Sequence, residues 1–232
     1  MKKKCSKVSI HLNKNFYNIS LDKQFLKSPE NNVFEFHSLT LAKLMKTEIE
    51  ECKNGYNLNK LLLFNIFSLA VDKIQKNKKK YINEMCKYAF TDLICYRANE
   101  PDELVKLQKT LWDPILNILG KMNLKFKIFY GIMPRAQSKA SIENLRKELN
   151  YLNDIEISCI FKITQISSSI LLSYSLYKKI IDEKSFFQCV FLDEIWQSKK
   201  WGIIEEEEEK RKNSFLVFKK INILLDQLKN EK

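Results

Sequence analysis

The chain has 232 residues, 45% apolar and 12% aromatic, with 40 basic against 28 acidic side chains and a net charge of +12. That length and apolar content allow one large domain or two small ones with real cores, and the scarcity of glycine and proline favours long helices. The charge points to nucleic acid or an anionic membrane, but Arg97, Arg135, Arg146 and Arg211 are the only arginines, and nucleic-acid readers lean on the arginine fork.

In chain order, Met1 to Lys14 carries lysines without a following apolar core, so neither a secretory signal nor a mitochondrial presequence is expected. Phe16 to Leu21 roughly alternates and predicts a strand; Gln24 to Lys27 should return, and Val33 to Phe36 should make a third strand after a turn at Ser28–Asn32. Ser38 or Thr40 should cap a helix carrying Leu41, Leu44, Met45 and Glu48, closed by Gly55. Helices are expected over 61–74 and 78–89, the second with Ile82, Met85 and Cys86 inward. Leu93 to Tyr96 reads as a short strand after a turn at Thr91-Asp92. Pro101 suits the first turn of a helix reaching Leu119, kinked or interrupted near Pro114 and closed by Gly120. Leu124 to Tyr130 reads as a strand and Met133 to Gln137 as a linker. Beyond it, helices are expected over 141–152, 157–179, 185–199 and 205–229. This predicts an α+β fold: an N-terminal α+β domain over 1–133, followed by an all-α multihelical domain over 134–232.

The apolar stretch Ile157–Tyr177 contains Lys162, Thr164, Gln165 and six serines, so it reads as a buried helix and no membrane span is expected. The six cysteines include no CxxC pair and read as reduced thiols; with His11 and His37 the only histidines, no metal site is indicated. No GxxxxGK or GxGxxG loop is available to cradle a phosphate, and no cofactor is expected. Asp193-Glu194 pairs two carboxylates, but neighbours on a helix diverge by about 100°, so one should face inward and the other solvent. No nucleophile–base set appears, and the chain reads as a non-enzyme.

The run Glu205–Glu209 followed by Lys210-Arg211-Lys212 sets three acid–base pairs at i,i+4 and reads first as a solvated helix face, with a partner contact as the other reading. Trp112 and Trp196 read as core more readily than as interface anchors. Tyr96-Arg97 is placed to hold a junction by stacking or a charge-assisted bond, and Cys86 and Cys95 read as buried hydrophobes.

Four blocks taken together resemble the Atp-twelve-type family, the α-subunit chaperones of ATP synthase assembly. They are Tyr88-Ala89-Phe90-Thr91-Asp92-Leu93-Ile94-Cys95-Tyr96-Arg97-Ala98; Gln108 with Trp112-Asp113-Pro114-Ile115-Leu116; Gly131-Ile132-Met133-Pro134 with Gln137; and Leu192-Asp193-Glu194-Ile195-Trp196-Gln197 with Trp201-Gly202. Tyr17 to Pro29 resembles the family's opening strand pair. The chain departs from the pattern at Ile49, at Leu61-Leu62, at Ile204 and at Ser167-Ser168-Ser169, which replaces a glycine-containing turn.

The resemblance implies a protein that binds the unassembled α subunit of F-type ATP synthase and prevents its aggregation until the β subunit replaces it. A monomer is expected, and with no presequence in view the bacterial cytoplasm is the expected compartment, or the mitochondrial matrix if the source is eukaryotic. The resemblance also implies a partner contact drawn from Asp92, Arg97, Asp193, Glu194, Trp196, Gln197 and Trp201. Glu194 matches the family's sensitive carboxylate, with a structural role at a helix end or on Arg97 as the other reading. Charge alone favours a different class, a basic RNA-associated binding protein, whose affinity would fall steeply with salt.

Overall fold

A computed structural model describes residues 7–52, 57–131, 133 and 135–230. Gly55, Pro134 and Cys5 lie outside the described residues. Strands β1 (Val8–Asn13), β2 (Phe16–Leu21) and β3 (Gln24–Phe25) form an antiparallel sheet in the order β1-β2-β3. Lys14 and Asp22 turn the chain at φ 53° and 57°. The alternating Val8, Ile10 and Leu12 make β1, a strand not expected among the lysines of the N-terminus. The expected strand at 33–36 is reduced to single bridges, Lys27 to Val33 and Tyr17 to Phe36.

Helix α1 (Leu39–Glu50) is capped by Ser38, whose hydroxyl accepts from the Leu41 N–H at 3.2 Å, and it buries Leu41, Ala42, Met45 and Ile49. Its one buried acid, Glu48, accepts from the Leu63 and Phe64 N–H groups at 2.9 and 3.4 Å. These are orphan donors of α2 (Leu62–Leu69), whose own N-cap Leu61 offers no side-chain acceptor. A π-helical turn, Ala70–Ile74, links α2 to α3 (Gln75–Tyr88), which bends at Asn77 (φ −151°, ψ 52°). Buried Asp72 on that turn accepts from Ser28 Oγ at 2.5 Å, Asn32 Nδ2 at 2.7 Å and the Glu30 N–H at 3.2 Å, which pins the 28–32 loop.

Leu93–Cys95 is a 3-10 turn, not the expected strand, because the Asp92 side chain accepts from the Ile94 N–H and curls the backbone. Only Tyr96–Arg97 (β4) is extended, pairing in parallel with β5 (Phe129–Tyr130), the remnant of the strand expected at 124–130. Helix α4 (Asp102–Lys121) is not interrupted at Pro114. It passes through Gly120 and ends where Asn123 takes φ 63° and the Leu124 N–H bonds the Leu119 carbonyl, so asparagine fills the left-handed position assigned to glycine. Gln137, in the expected linker, is buried and its amide bonds the Lys127 backbone in both directions.

Among the described residues only helices follow: α5 (Lys139–Asn150), α6 (Asp154–Ser167), α7 (Ile170–Tyr177), α8 (Glu183–Val190), α9 (Leu192–Trp201) and α10 (Glu205–Asn230). Two helices expected as continuous are broken. Ser168 sits at φ 54° and Ser169 then caps α7, accepting from the Leu172 N–H; Phe191 (φ −103°, ψ 20°) separates α8 from α9.

The chain groups into two compact units. One takes Met1–Lys78, Asn153–Cys159 and Ile223–Lys232, and its core includes a cluster in which Phe34 meets Phe64 edge-on and Phe36 meets Phe67. The other takes Lys79–Leu152 and Ile160–Asn222; Trp112, Leu145, Tyr174 and the edge-on pair Phe186–Phe218 lie in its core. Cys86 and Cys95 are both buried, and burial pushes their thiols up, Cys86 to about 11, consistent with their expected role as small hydrophobes. The fold is α+β with the sheet N-terminal, as expected.

Candidate functional site

Pairing of β4 with β5 holds Arg97 where its side chain runs inward, leaving it 3% exposed. A buried guanidinium must find acceptors, and it does. Nε–H donates to the Ile94 carbonyl at 3.0 Å, Nη1 to the Gln108 carbonyl at 2.7 Å and Nη2 to Asp113 Oδ1 at 2.9 Å. Its face lies over the Trp112 ring, 4.8 Å from the centroid. Burial pulls the guanidinium below its usual range, and Asp113 opposes that pull.

Helix α4 supplies the next link through its i, i+4 face. The Gln108 side chain accepts from the Ala98 N–H at 2.9 Å and donates from Nε2 to Asp193 Oδ1 at 2.9 Å. One turn on, Trp112 Nε1–H donates to the Cys189 carbonyl at 3.0 Å. Three sequence blocks thus meet in one hydrogen-bonded network running from Arg97 through Gln108 to Asp193.

On α9 the two adjacent carboxylates do diverge. Asp193 faces α4, and Glu194 faces α10 with its side chain 52% exposed. Glu194 neighbours Arg211, not Arg97: its Oε2 lies 3.6 Å from Arg211 Nη1. The same guanidinium donates from Nη2 to Ser198 Oγ at 3.2 Å. Of the three expected i,i+4 pairs on α10, Glu206–Lys210 and Glu208–Lys212 form at 2.8 Å each, while Arg211 turns inward.

Trp196 is buried and Trp201, at the end of α9, is 75% exposed; the rings meet edge-on at 5.6 Å. Gly202 (φ 101°) then turns the chain to exposed Ile203 and Ile204. Gln197 is exposed on α9. Asp92 shares Ile94 with Arg97 but directs its carboxylate to the start of α7. It is fully buried and accepts from Ser169 Oγ at 2.6 Å and the Leu171 N–H at 3.0 Å, at the start of α7. Burial pushes its carboxyl up to about 6 against those hydrogen bonds.

A cleft of about 910 Å3 opens between α4, α8, α9 and α10, with Trp196 and Leu192 in its wall. Sequence reasoning missed it. The available signal was Leu107 and Leu111, an i,i+4 stripe on α4 distinct from the Trp112–Ile115–Leu119 core face.

The comparisons with known proteins agree with one another. Residues 2–120 match the family model described as ATP12 chaperone protein. Protein atp12, mitochondrial, from Schizosaccharomyces pombe is 22% identical over 204 residues, covering 82% of this chain and 70% of the relative. The crystal structure of Atp12 from Paracoccus denitrificans aligns at TM-score 0.86 and 21% identity over 97% of both chains. The Atu1473 protein from Agrobacterium tumefaciens aligns at 0.89 and 24% identity, over 97% of this chain and 85% of that one.

Proposed function

The chain belongs to the ATP12 chaperone protein family, and from that premise we propose that it assists assembly of F-type ATP synthase by holding the unassembled α subunit until the β subunit displaces it. The observation that carries this reading is the family match across residues 2–120, supported by a fold shared along 97% of the chain. The physical task suits such a molecule. An orphan subunit of a catalytic ring exposes apolar surface destined for its neighbour, and such surface drives aggregation. Covering it requires binding and release, and the family assignment implies that role rather than catalysis. The compartment is the one where the α subunit waits, the bacterial cytoplasm or the mitochondrial matrix.

The contact we propose lies on α9 and its surroundings, where Asp193, Glu194, Trp196, Gln197 and Trp201 are gathered and Arg97 anchors the base through Gln108. Tagged protein co-expressed with the α and β subunits tests this. The α subunit should co-purify stoichiometrically, and added β should release it. Glu194→Gln separates contact from support. The carboxylate is half in water, so its pair with Arg211 is worth under about 1 kcal/mol. The variant should melt within a few degrees of the parent and capture less α subunit. A large loss of thermal stability with capture intact would assign Glu194 to support instead.

A further inference from the structure

We infer that the cleft between α4, α8, α9 and α10 receives an amphipathic helix whose apolar stripe is flanked by acidic residues. This rests on the α-subunit reading and adds the chemistry of the segment recognised.

Leu192 and Trp196 in the wall belong to the buried core, but other apolar side chains of the wall do not serve it. Helix α4 buries Leu104, Trp112, Ile115 and Leu119 on one face, yet Leu107 and Leu111 form a second stripe along the cleft. Across from it Phe215 and Leu216 line the α10 side, with Leu216 57% exposed, although α10 already buries Phe218 and Ile221. Apolar side chains left facing water in a row mark a surface that is covered in use.

The shape favours an elongated occupant. The cleft continues into a second hollow of about 380 Å3 that shares Phe187, Ile195, Lys199 and Lys212 with it and reaches Ile203. A small-molecule site would present a few fixed polar groups to orient its ligand; here the charged atoms are mostly ammonium tips on flexible stems. Such a groove suits a helix that lays anchors at i, i+3/i+4 and i+7 into it.

Charge supplies the rest. Four lysines, Lys184, Lys199, Lys200 and Lys212, stand around the cleft and Arg211 around its continuation, against two acids, Glu103 paired with Lys200 at 2.6 Å and Glu208 paired with Lys212 at 2.8 Å, so the rim is net positive. A rim of that sign attracts an acidic flank and repels a basic one.

The test uses the full chain and a labelled synthetic helix of about four turns with a leucine stripe and glutamate flanks, beside a sister peptide with lysine flanks. Fluorescence anisotropy should show the acidic peptide bound at least about tenfold more tightly than the basic one, with binding that weakens as salt rises. Leu216→Asp should weaken it about tenfold or more. Lys199→Glu combined with Lys212→Glu should reverse the preference. These positions are exposed, and circular dichroism checks that each variant is folded.

Equal affinity for the two peptides, or affinity indifferent to Leu216→Asp, overturns the inference. So does concentration-dependent dimerisation abolished by Leu216→Asp, since a second copy would then be the occupant. The α-subunit capture assay separates the two claims. If the parent and the cleft variants capture α equally, the cleft assignment fails and the α reading stands. If the parent captures none while the peptide results hold, the α reading fails and the cleft assignment stands.

Discussion

At the scale of single residues, buried polar groups decide how the candidate site is held. Arg97 satisfies two backbone carbonyls and Asp113 with one planar fork. Arg97→Ala leaves the Ile94 and Gln108 carbonyls without that donor and should destabilise by about 2–4 kcal/mol, read from urea unfolding midpoints. Arg97→Lys should recover at most about half of that loss, because one ammonium does not span all three acceptors.

Asp92 makes a different prediction, through pH. Its carboxyl is raised from 3.8 to about 6 in the folded chain, so the unfolded chain ionises first. The associated stability is fully present below about pH 4 and is lost as pH rises through about 6, a change on the order of 3 kcal/mol. Depressed carboxylates such as Glu30, held low by Lys73 and Lys76, act in the opposite sense at lower pH. The difference between parent and Asp92→Asn unfolding free energies, measured from pH 4 to pH 7, isolates the effect. A flat difference would contradict it.

At the scale of elements, what the sequence disclosed depended on whether the signal was local. Ser38 before Leu41, Leu44, Met45 and Glu48 is a local capping and periodic pattern, and α1 follows it with Ser38 as the cap. The cap that Glu48 gives α2 comes from α1, so a window of sequence over α2 does not contain it. The break between α6 and α7 is the clearest case. With neither glycine nor proline present, 157–179 reads as one helix, yet Asp92 draws Ser169 and the Leu171 N–H into a new helix start and leaves Ser168 at φ 54°. Serine bears strain there that glycine would not. Ser168 is exposed, so Ser168→Gly should raise stability by about 1 kcal/mol and the melting temperature by a few degrees in calorimetry. A lowered melting temperature would contradict this account of the break.

The candidate site was legible in the same uneven way. Gln108, Trp112 and Asp193 stand out as motif residues, but Arg211 looked like one more base on a solvated face until α10 placed it beside Glu194. At the scale of the whole molecule, the α+β class follows from strand-like segments before residue 131 and helical ones after it. The grouping into compact units depends on Asn153–Cys159 and Ile223–Lys232 joining the N-terminal segment, which a shift in composition does not encode. The contact proposed for another polypeptide is likewise a property of the assembled surface, with α9, its tryptophans and the apolar cleft gathered from distant parts of the chain. The most direct test is light scattering from isolated α subunit diluted out of denaturant, with and without this protein and without nucleotide. The account predicts that scattering is suppressed at about one chaperone per α subunit, and that the held α subunit then assembles when β is added. Scattering that proceeds unchanged at equimolar protein would contradict it.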